Sequence, residues 1–266
     1  MNKLYIIIII IIVIILSVFI NQKYLKKSES FQNFQLKQPL YILWTGGYDS
    51  TFRICQALID EKKIVQPIYI SDIIDNLPKN INERRHSQKN EYQAMEKIRK
   101  EIYKSFPYTQ KTFLPLIDIK KINIDQNIQY HMDILKKQKR VRRSTCQYGA
   151  IAQLCKNINQ NLNTKKYIEI SVEKEPHGSI MYNTIHKKVN CIQDKCYLKN
   201  NLSINDQSLK IFKYLLFSTL NYTKKDMLNI SEKGGYKHIM KLTWSCWYPK
   251  NNKPCGRCIM CRERII

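Results

Sequence analysis

The alternation of apolar and polar positions divides the chain into distinct regimes. Residues Leu4–Ile20 (LYIIIIIIIVIILSVFI) run seventeen positions without a charge. As a helix rising about 1.5 Å per residue they reach about 25 Å, the short end of what spans a bilayer. A polar stretch, NQKYLKKSESFQNFQLKQ, follows, and it carries no A-x-A-like cleavage site. Beyond it, short apolar runs alternate with longer mixed segments. LYILW (40–44), IVQPIYI (64–70), TFLPLIDI (112–119) and YIEISV (167–172) are rich in β-branched and aromatic residues and predict strands. The stretches 49–61, 87–105 and roughly 144–160 predict helices between them. Strands spaced by helices of this length imply βαβ units and an α/β fold, a doubly wound and mostly parallel sheet. The run 173–210 predicts an irregular insertion with a hairpin around CIQDKC. The expected organisation is a transmembrane anchor (1–22), a linker (23–38), an α/β domain (39–240) and a cysteine-bearing tail (241–266).

Glycine changes this picture first. The 266 residues hold seven glycines, where the usual share of about 7% would give about nineteen. Two stand together in LWTGGYDSTF (43–52), after the first predicted strand and before the first predicted helix. In an open α/β sheet, ligands bind beyond the carboxyl ends of strands. Glycines at that point let the backbone approach a ligand and take positive φ. Asp49, Ser50 and Thr51 then form the first helical turn, whose exposed N–H groups favour an anion. Hydroxyls on Thr45, Ser50 and Thr51 add donors. No lysine stands where a Walker A loop requires one. Asp49 beside a phosphate implies a divalent ion such as Mg²⁺. The plainer alternative is a tight βα turn with Asp49 as its N-cap.

Charge adds a second constraint. The net charge is +24, which suits a polyanionic partner such as nucleic acid, or simply a coat of solvated lysines. The basic run KKQKRVRR (136–143) allows the same two readings. Lys23, Lys26 and Lys27 outweigh Lys3 across the apolar segment, so the positive-inside rule places the bulk of the chain on the cytosolic side of a single-pass anchor.

Of nine cysteines, four lie in the last 21 residues: Cys246, Cys255, Cys258 and Cys261, spaced C-x₈-C-x₂-C-x₂-C. Such a trio plus a fourth thiolate returned by a loop suits tetrahedral Zn²⁺, and Gly256 suits a knuckle turn. A disulfide framework and an iron–sulfur cluster are the rivals, and the cytosolic placement argues against the first. Cys191 and Cys196 read as buried thiols or an incidental pair, and Cys55, Cys146 and Cys155 as core residues. The histidines, His86, His131, His177, His186 and His238, show no ligand spacing and read as surface or core groups.

T-G-G-x-D-S after a buried strand resembles the PP-loop of the ATP pyrophosphatase superfamily, whose fold is adenine nucleotide alpha hydrolase-like. Joined to the terminal pattern of Thr243, Ser245, Cys246, Cys255, Gly256, Cys258, Cys261 and Arg264, it resembles the 7-cyano-7-deazaguanine synthase family over roughly residues 40–265. The resemblance implies an ATP-dependent carbon–nitrogen ligase that converts 7-carboxy-7-deazaguanine and ammonia to the nitrile on the way to queuosine. ATP would bind along Thr45, Gly46, Gly47, Tyr48, Asp49, Ser50 and Thr51, and zinc on the four cysteines. Asp49 and Ser50 would act in catalysis. YTKKDMLN (222–229) puts Lys224 on the family's catalytic lysine. Arg143 is the nearest counterpart of the family's Arg-Asn segment; the Asn is missing. Two alternatives stand beside this: a PP-loop enzyme acting directly on tRNA, and a membrane-tethered zinc module without turnover. The sequence does not decide between monomer and homodimer.

Overall fold

In the computed structural model, residues 38–71, 87–141, 147–160, 165–174 and 179–262 are described. The predicted anchor, all but the last residue of the predicted linker, and His86, Arg143, Cys146, His177 and Arg264 lie outside them. No helix among the described residues is long and apolar enough to cross a membrane.

Seven strands follow in chain order: β1 (Leu40–Leu43), β2 (Val65–Ile70), β3 (Ile117–Ile119), β4 (Ile168–Ile170), β5 (Val189–Ile192), β6 (Lys195–Leu198) and β7 (Leu215–Phe217). The helices are α1 (Tyr48–Cys55), α2 (Gln88–Ser105), α3 (Gln126–Lys137), α4 (Gln147–Gln160), α5 (Ile180–Ile185), α6 (Lys224–Lys233), α7 (Lys237–Met240) and α8 (Ile259–Arg262). A π-helical turn, Gln56–Asp60, continues α1, and Ile204–Phe212 is a 3₁₀ helix. The strands form one sheet in the order β3-β2-β1-β4-β7-β6-β5. Pairing is parallel from β3 to β7 and antiparallel for β7-β6-β5. This is the mixed, doubly wound α/β architecture expected. The sheet is begun by β1 and built outward through β2 and β3 before the chain returns to β4 on the other side. The reversal makes a topological switch point between β1 and β4.

Each face of the sheet carries its own core. Ile68, Ile70, Ile168 and Ile170 pack with Met132 and Leu135 of α3, Ile151 and Leu154 of α4, and Leu209 and Phe212 of the 3₁₀ helix. Ile42, Trp44 and Tyr69 face Phe52 of α1, Met95, Ile98 and Ile102 of α2, Met227 of α6 and Ile239 of α7. Burying each of these large side chains contributes about 1.5–3 kcal/mol before the opposing entropy. Glu169 sits in the middle of β4 at 1% exposure. Arg53 of α1 answers it, donating from Nε at 2.5 Å and from Nη2 at 3.3 Å, while also binding Glu61 at 2.5 Å. This buried ion pair fixes α1 against β4, so the start of α1 stands beside the end of β4.

Several elements differ from the sequence expectation. The predicted strand at 112–119 pairs only from Ile117; Phe113 makes a single bridge to Val65, and Pro115, lacking an N–H, separates the two. Helix α3 and strand β7 lie outside the predicted elements. The insertion carries the expected hairpin, but Cys191 and Cys196 are neither free buried thiols nor an incidental pair. They form a disulfide, with Cys191 exposed and Cys196 buried. The reason is geometric: the two-residue turn Gln193–Asp194, with Gln193 at φ 54°, sets Cys191 directly across from Cys196 at a Cα separation of 4.0 Å. Cys55 and Cys155 are buried core thiols as expected, and burial raises both above the ordinary thiol range.

A second ionic centre pins the 3₁₀ helix. Asp206, 2% exposed, accepts from Arg140 at 2.6 Å, from Lys188 at 2.7 Å and from Ser203. Burial pushes its carboxyl up, but the hydrogen bonds from Lys188, Ser203 and Arg140 outweigh this and hold it well below the usual carboxylate range. Its stabilisation is therefore complete above the unfolded value near pH 4 and is lost as pH falls below that. Asp206→Asn is expected to cost about 2 kcal/mol at neutral pH, since both cations are part-exposed, and to flatten the acid limb of stability. Urea unfolding of both proteins at neutral and acidic pH measures this; an equal loss at both would contradict it.

Candidate active site and metal centre

Where β1 ends, Thr45, Gly46 and Gly47 turn the chain into α1. Gly46 has φ +68°, and a Cβ there would meet the Glu91 carbonyl oxygen at 3.1 Å and Met95 Cγ at 3.1 Å. Any other residue would be both strained and crowded. Gly47 is the N-cap of α1, with no side-chain cap bond, so Asp49 is not the cap and occupies the first turn. Gly47 itself offers no side-chain acceptor to the leading N–H groups of the helix. The Ser50 hydroxyl reaches the Gly47 carbonyl at 3.4 Å.

Of these loop residues all but Gly46 line a cavity at the switch point. Its walls include Thr45, Gly47, Tyr48, Asp49 and Ser50 from the loop, and Ile68 and Ile70 from β2. Ile170 and Ser171 close β4, Gln147 and Tyr148 open α4, and Lys224 opens α6. The tail supplies Thr243, Trp244, Ser245, Trp247 and Met260. Thr51 faces away: it is fully buried, and its Oγ1 accepts from the Trp44 indole Nε1 at 3.1 Å. Trp44, bulky for its place, thus packs beneath the loop and fixes the second residue row of α1.

Lys224 is held by Glu173, Nζ to Oε1 at 2.9 Å, with the two side chains 15% and 5% exposed. Its helix begins with a capping box between Thr223 and Asp226, which sets where α6 starts. The Tyr48 hydroxyl is buried and, among the described residues, has no hydrogen-bond partner; the same holds for Ser171 Oγ. Burial, then the neighbouring Asp49 and Glu173, push Tyr48 up to about 12 against the opposing pull of Lys224. It remains a neutral donor across the physiological range. Anion-accepting N–H groups, a cation, a carboxylate and two hydroxyls thus converge on one hollow. The described histidines are elsewhere: His131 contacts Ser208, His186 its own helix, and His238 lies near Glu101 and Ser105. Arg140 of the basic run is engaged by Asp206.

The four tail cysteines meet. Their sulfurs all lie within 4.8 Å of one another, with Cys258 and Cys261 at 3.4 Å and Cys255 and Cys261 at 3.9 Å. Tetrahedral Zn–S bonds of about 2.3 Å require S···S edges of about 3.8 Å, so the set fits a dication. Gly256 has φ +71°, as a knuckle turn demands. The N–H of Cys255 points to Cys246 Sγ at 3.2 Å, and that of Cys258 to Cys255 Sγ at 3.4 Å. Backbone N–H groups of Arg257 and Cys258 pull Cys255 down to about 6, whereas burial raises Cys246 and pushes Cys261 up to about 12.

The two motifs are physically joined. The Trp244 N–H donates to the Gly46 carbonyl at 2.8 Å, two residues before the first cysteine. Sequence reading placed the loop, Lys224 and the cysteines. It missed Glu173, Ser171 and the tail's contribution to the cavity wall, and none of these carried a local signal in the sequence. Searched against protein-family models and against curated proteins, the chain matches none.

Proposed function

We propose that the protein is an ATP-dependent carbon–nitrogen ligase resembling 7-cyano-7-deazaguanine synthase, with zinc on the four cysteines. The observation that carries this reading is the Trp244–Gly46 hydrogen bond, which unites the loop and the Cys₄ tail around one cavity. The start of α1 would hold the phosphates of ATP, since its N–H groups and the helix dipole favour negative charge. Asp49 would hold Mg²⁺, which would supply charge neutralisation for the pyrophosphate leaving group. Lys224, oriented by Glu173, and the neutral Tyr48 hydroxyl stabilise charge that develops on phosphate or acyl oxygen.

The chemistry balances without a protein nucleophile. A carboxylate oxygen of 7-carboxy-7-deazaguanine attacks the α-phosphate and releases pyrophosphate. Ammonia displaces AMP to give the amide. The amide oxygen attacks the α-phosphate of a second ATP and releases pyrophosphate, and elimination of AMP with loss of both nitrogen-bound protons leaves the nitrile. Proximity of the three reactants supplies most of the acceleration. Residues 4–20 would anchor the chain in a membrane. Full-length protein with ATP, Mg²⁺, ammonia and 7-carboxy-7-deazaguanine is expected to give two AMP and two pyrophosphate per nitrile; no AMP and no nitrile would refute the proposal.

A further inference from the structure

The two ends of the parallel strands present different surfaces. The cavity lies at the carboxyl ends of β1, β2 and β4. The opposite rim is built from the turns that precede the same strands. These turns touch in sheet order: the Leu40 N–H donates to the Ile64 carbonyl at 2.8 Å, and the Ile168 N–H to the Tyr214 carbonyl at 3.0 Å. They bring lysines to the rim: Lys62 and Lys63 before β2, Lys165 and Lys166 before β4, and Lys213 before β7. All but the half-buried Lys166 are exposed. The acids beside Lys62 are engaged, Glu61 by Arg53 and Asp60 by the Tyr236 hydroxyl. Tyrosines stand between the lysines. The Lys62 ammonium lies 4.1 Å from the ring centroid of Tyr108, that of Lys166 5.4 Å from Tyr41 and that of Lys213 4.8 Å from Tyr214. Tyr108 is 46% exposed and Tyr167 36%.

Leu40 starts β1 at this same rim, so the segment carrying the seventeen apolar residues joins the domain there. Residues 21–39 extend at most about 65 Å, which keeps the rim within reach of a bilayer that holds residues 4–20. Such a tether turns a weak bimolecular encounter into a local one. Each lysine close to an anionic membrane surface strengthens attachment by about fivefold. Tyrosine, apolar in its ring and polar at its tip, favours the depth of the headgroups. A nucleic acid would meet the same charge but would gain nothing from the tether. We propose that this lysine–tyrosine rim docks on anionic phospholipid headgroups and so holds the cavity on the side of the domain away from the bilayer. The proposal rests on the anchoring of residues 4–20 and is independent of the ligase reading.

The test places the full-length protein in lipid discs of phosphatidylcholine, alone or with phosphatidylserine, and labels its lysines with an acetylating reagent. Lys63, Lys165 and Lys213 are expected to label at least about threefold more slowly in the phosphatidylserine discs. Salt at about 0.5 M should abolish the difference. Lys89 and Lys225, near the cavity-lining Glu91 and Lys224, should label alike in both discs. The combined variant Lys63→Gln, Lys165→Gln, Lys213→Gln should lose protection at Lys62 and Lys166, whereas arginine at the same three positions should keep it. Equal labelling of the rim lysines in both discs, or equal protection of Lys89 and Lys225, would overturn the proposal. Matching protection by RNA in phosphatidylcholine discs would also overturn it and assign the rim to nucleic acid. An alkaline wash of the discs reads the anchor separately. Release of the protein would remove the anchor and this proposal together and leave the ligase reading untouched; retention with equal labelling would remove the docking alone.

Discussion

Asp49→Ala is expected to lower turnover by about 10²–10³-fold or more while leaving the fold intact. Gly47, not Asp49, caps α1, so the carboxylate is not needed to start the helix. Its loss there removes a first-turn acid, an effect of about 0.3–1 kcal/mol on stability. Within the cavity the same group stands beside Tyr48, Ser50 and the first turn of α1. An acid among anion-binding donors is a liability unless a metal ion bridges it to phosphate. Steady-state AMP release and thermal unfolding, measured together, separate these roles. Turnover within threefold of wild type, or collapse of the fold, would each contradict the assignment; Asp49→Asn, isosteric but uncharged, should behave like the alanine variant.

Removing the metal, or replacing Cys258 by serine, carries the second large effect. Folded protein binding zinc at a thousand times its Kd gains about 4 kcal/mol over the unfolded chain, and chelation forfeits that. The consequence extends beyond the tail, because Trp244 hydrogen-bonds Gly46 and the tail supplies one wall of the cavity. Metal loss should therefore weaken ATP binding as well as expose residues 243–262 to proteolysis, and by linkage ATP should tighten metal binding. Zinc stoichiometry should fall from one to zero in Cys258→Ser. A variant with full metal content and unchanged stability would exclude the Cys₄ assignment. Intact ATP affinity after verified metal loss would show that the knuckle and the loop act independently.

The sequence made the βαβ alternation legible because parallel strands are buried on both faces and read as apolar runs. IVQPIYI and LYILW are such runs, and both are strands. Helix α3 was equally written there, with Asp125 as N-cap and Ile128, Met132 and Leu135 on one face. Strand β7 was obscured because its three residues lie in a longer apolar stretch, YLLFSTL, that fits helix or strand. The Cys191–Cys196 bond depended on a turn geometry that spacing alone does not specify. At the site, local motifs placed Gly46–Ser50 and the cysteines. Glu173, Ser171, Tyr148 and Trp247 reach the same place only through the sheet order and the return of the tail, which are long-range facts. Thr51 shows the converse: its hydroxyl looked like a ligand donor, and the fold gave it to Trp44.

The central claim is acyl adenylation in the cavity between β1 and β4. The most direct measurement supplies 7-carboxy-7-deazaguanine with both carboxylate oxygens as ¹⁸O, together with ATP, Mg²⁺, ammonia and the full-length protein, and weighs the AMP. Each carboxylate oxygen must leave on an AMP, so every AMP released should carry one ¹⁸O. Unlabelled AMP, or ADP and phosphate in its place, would contradict the account.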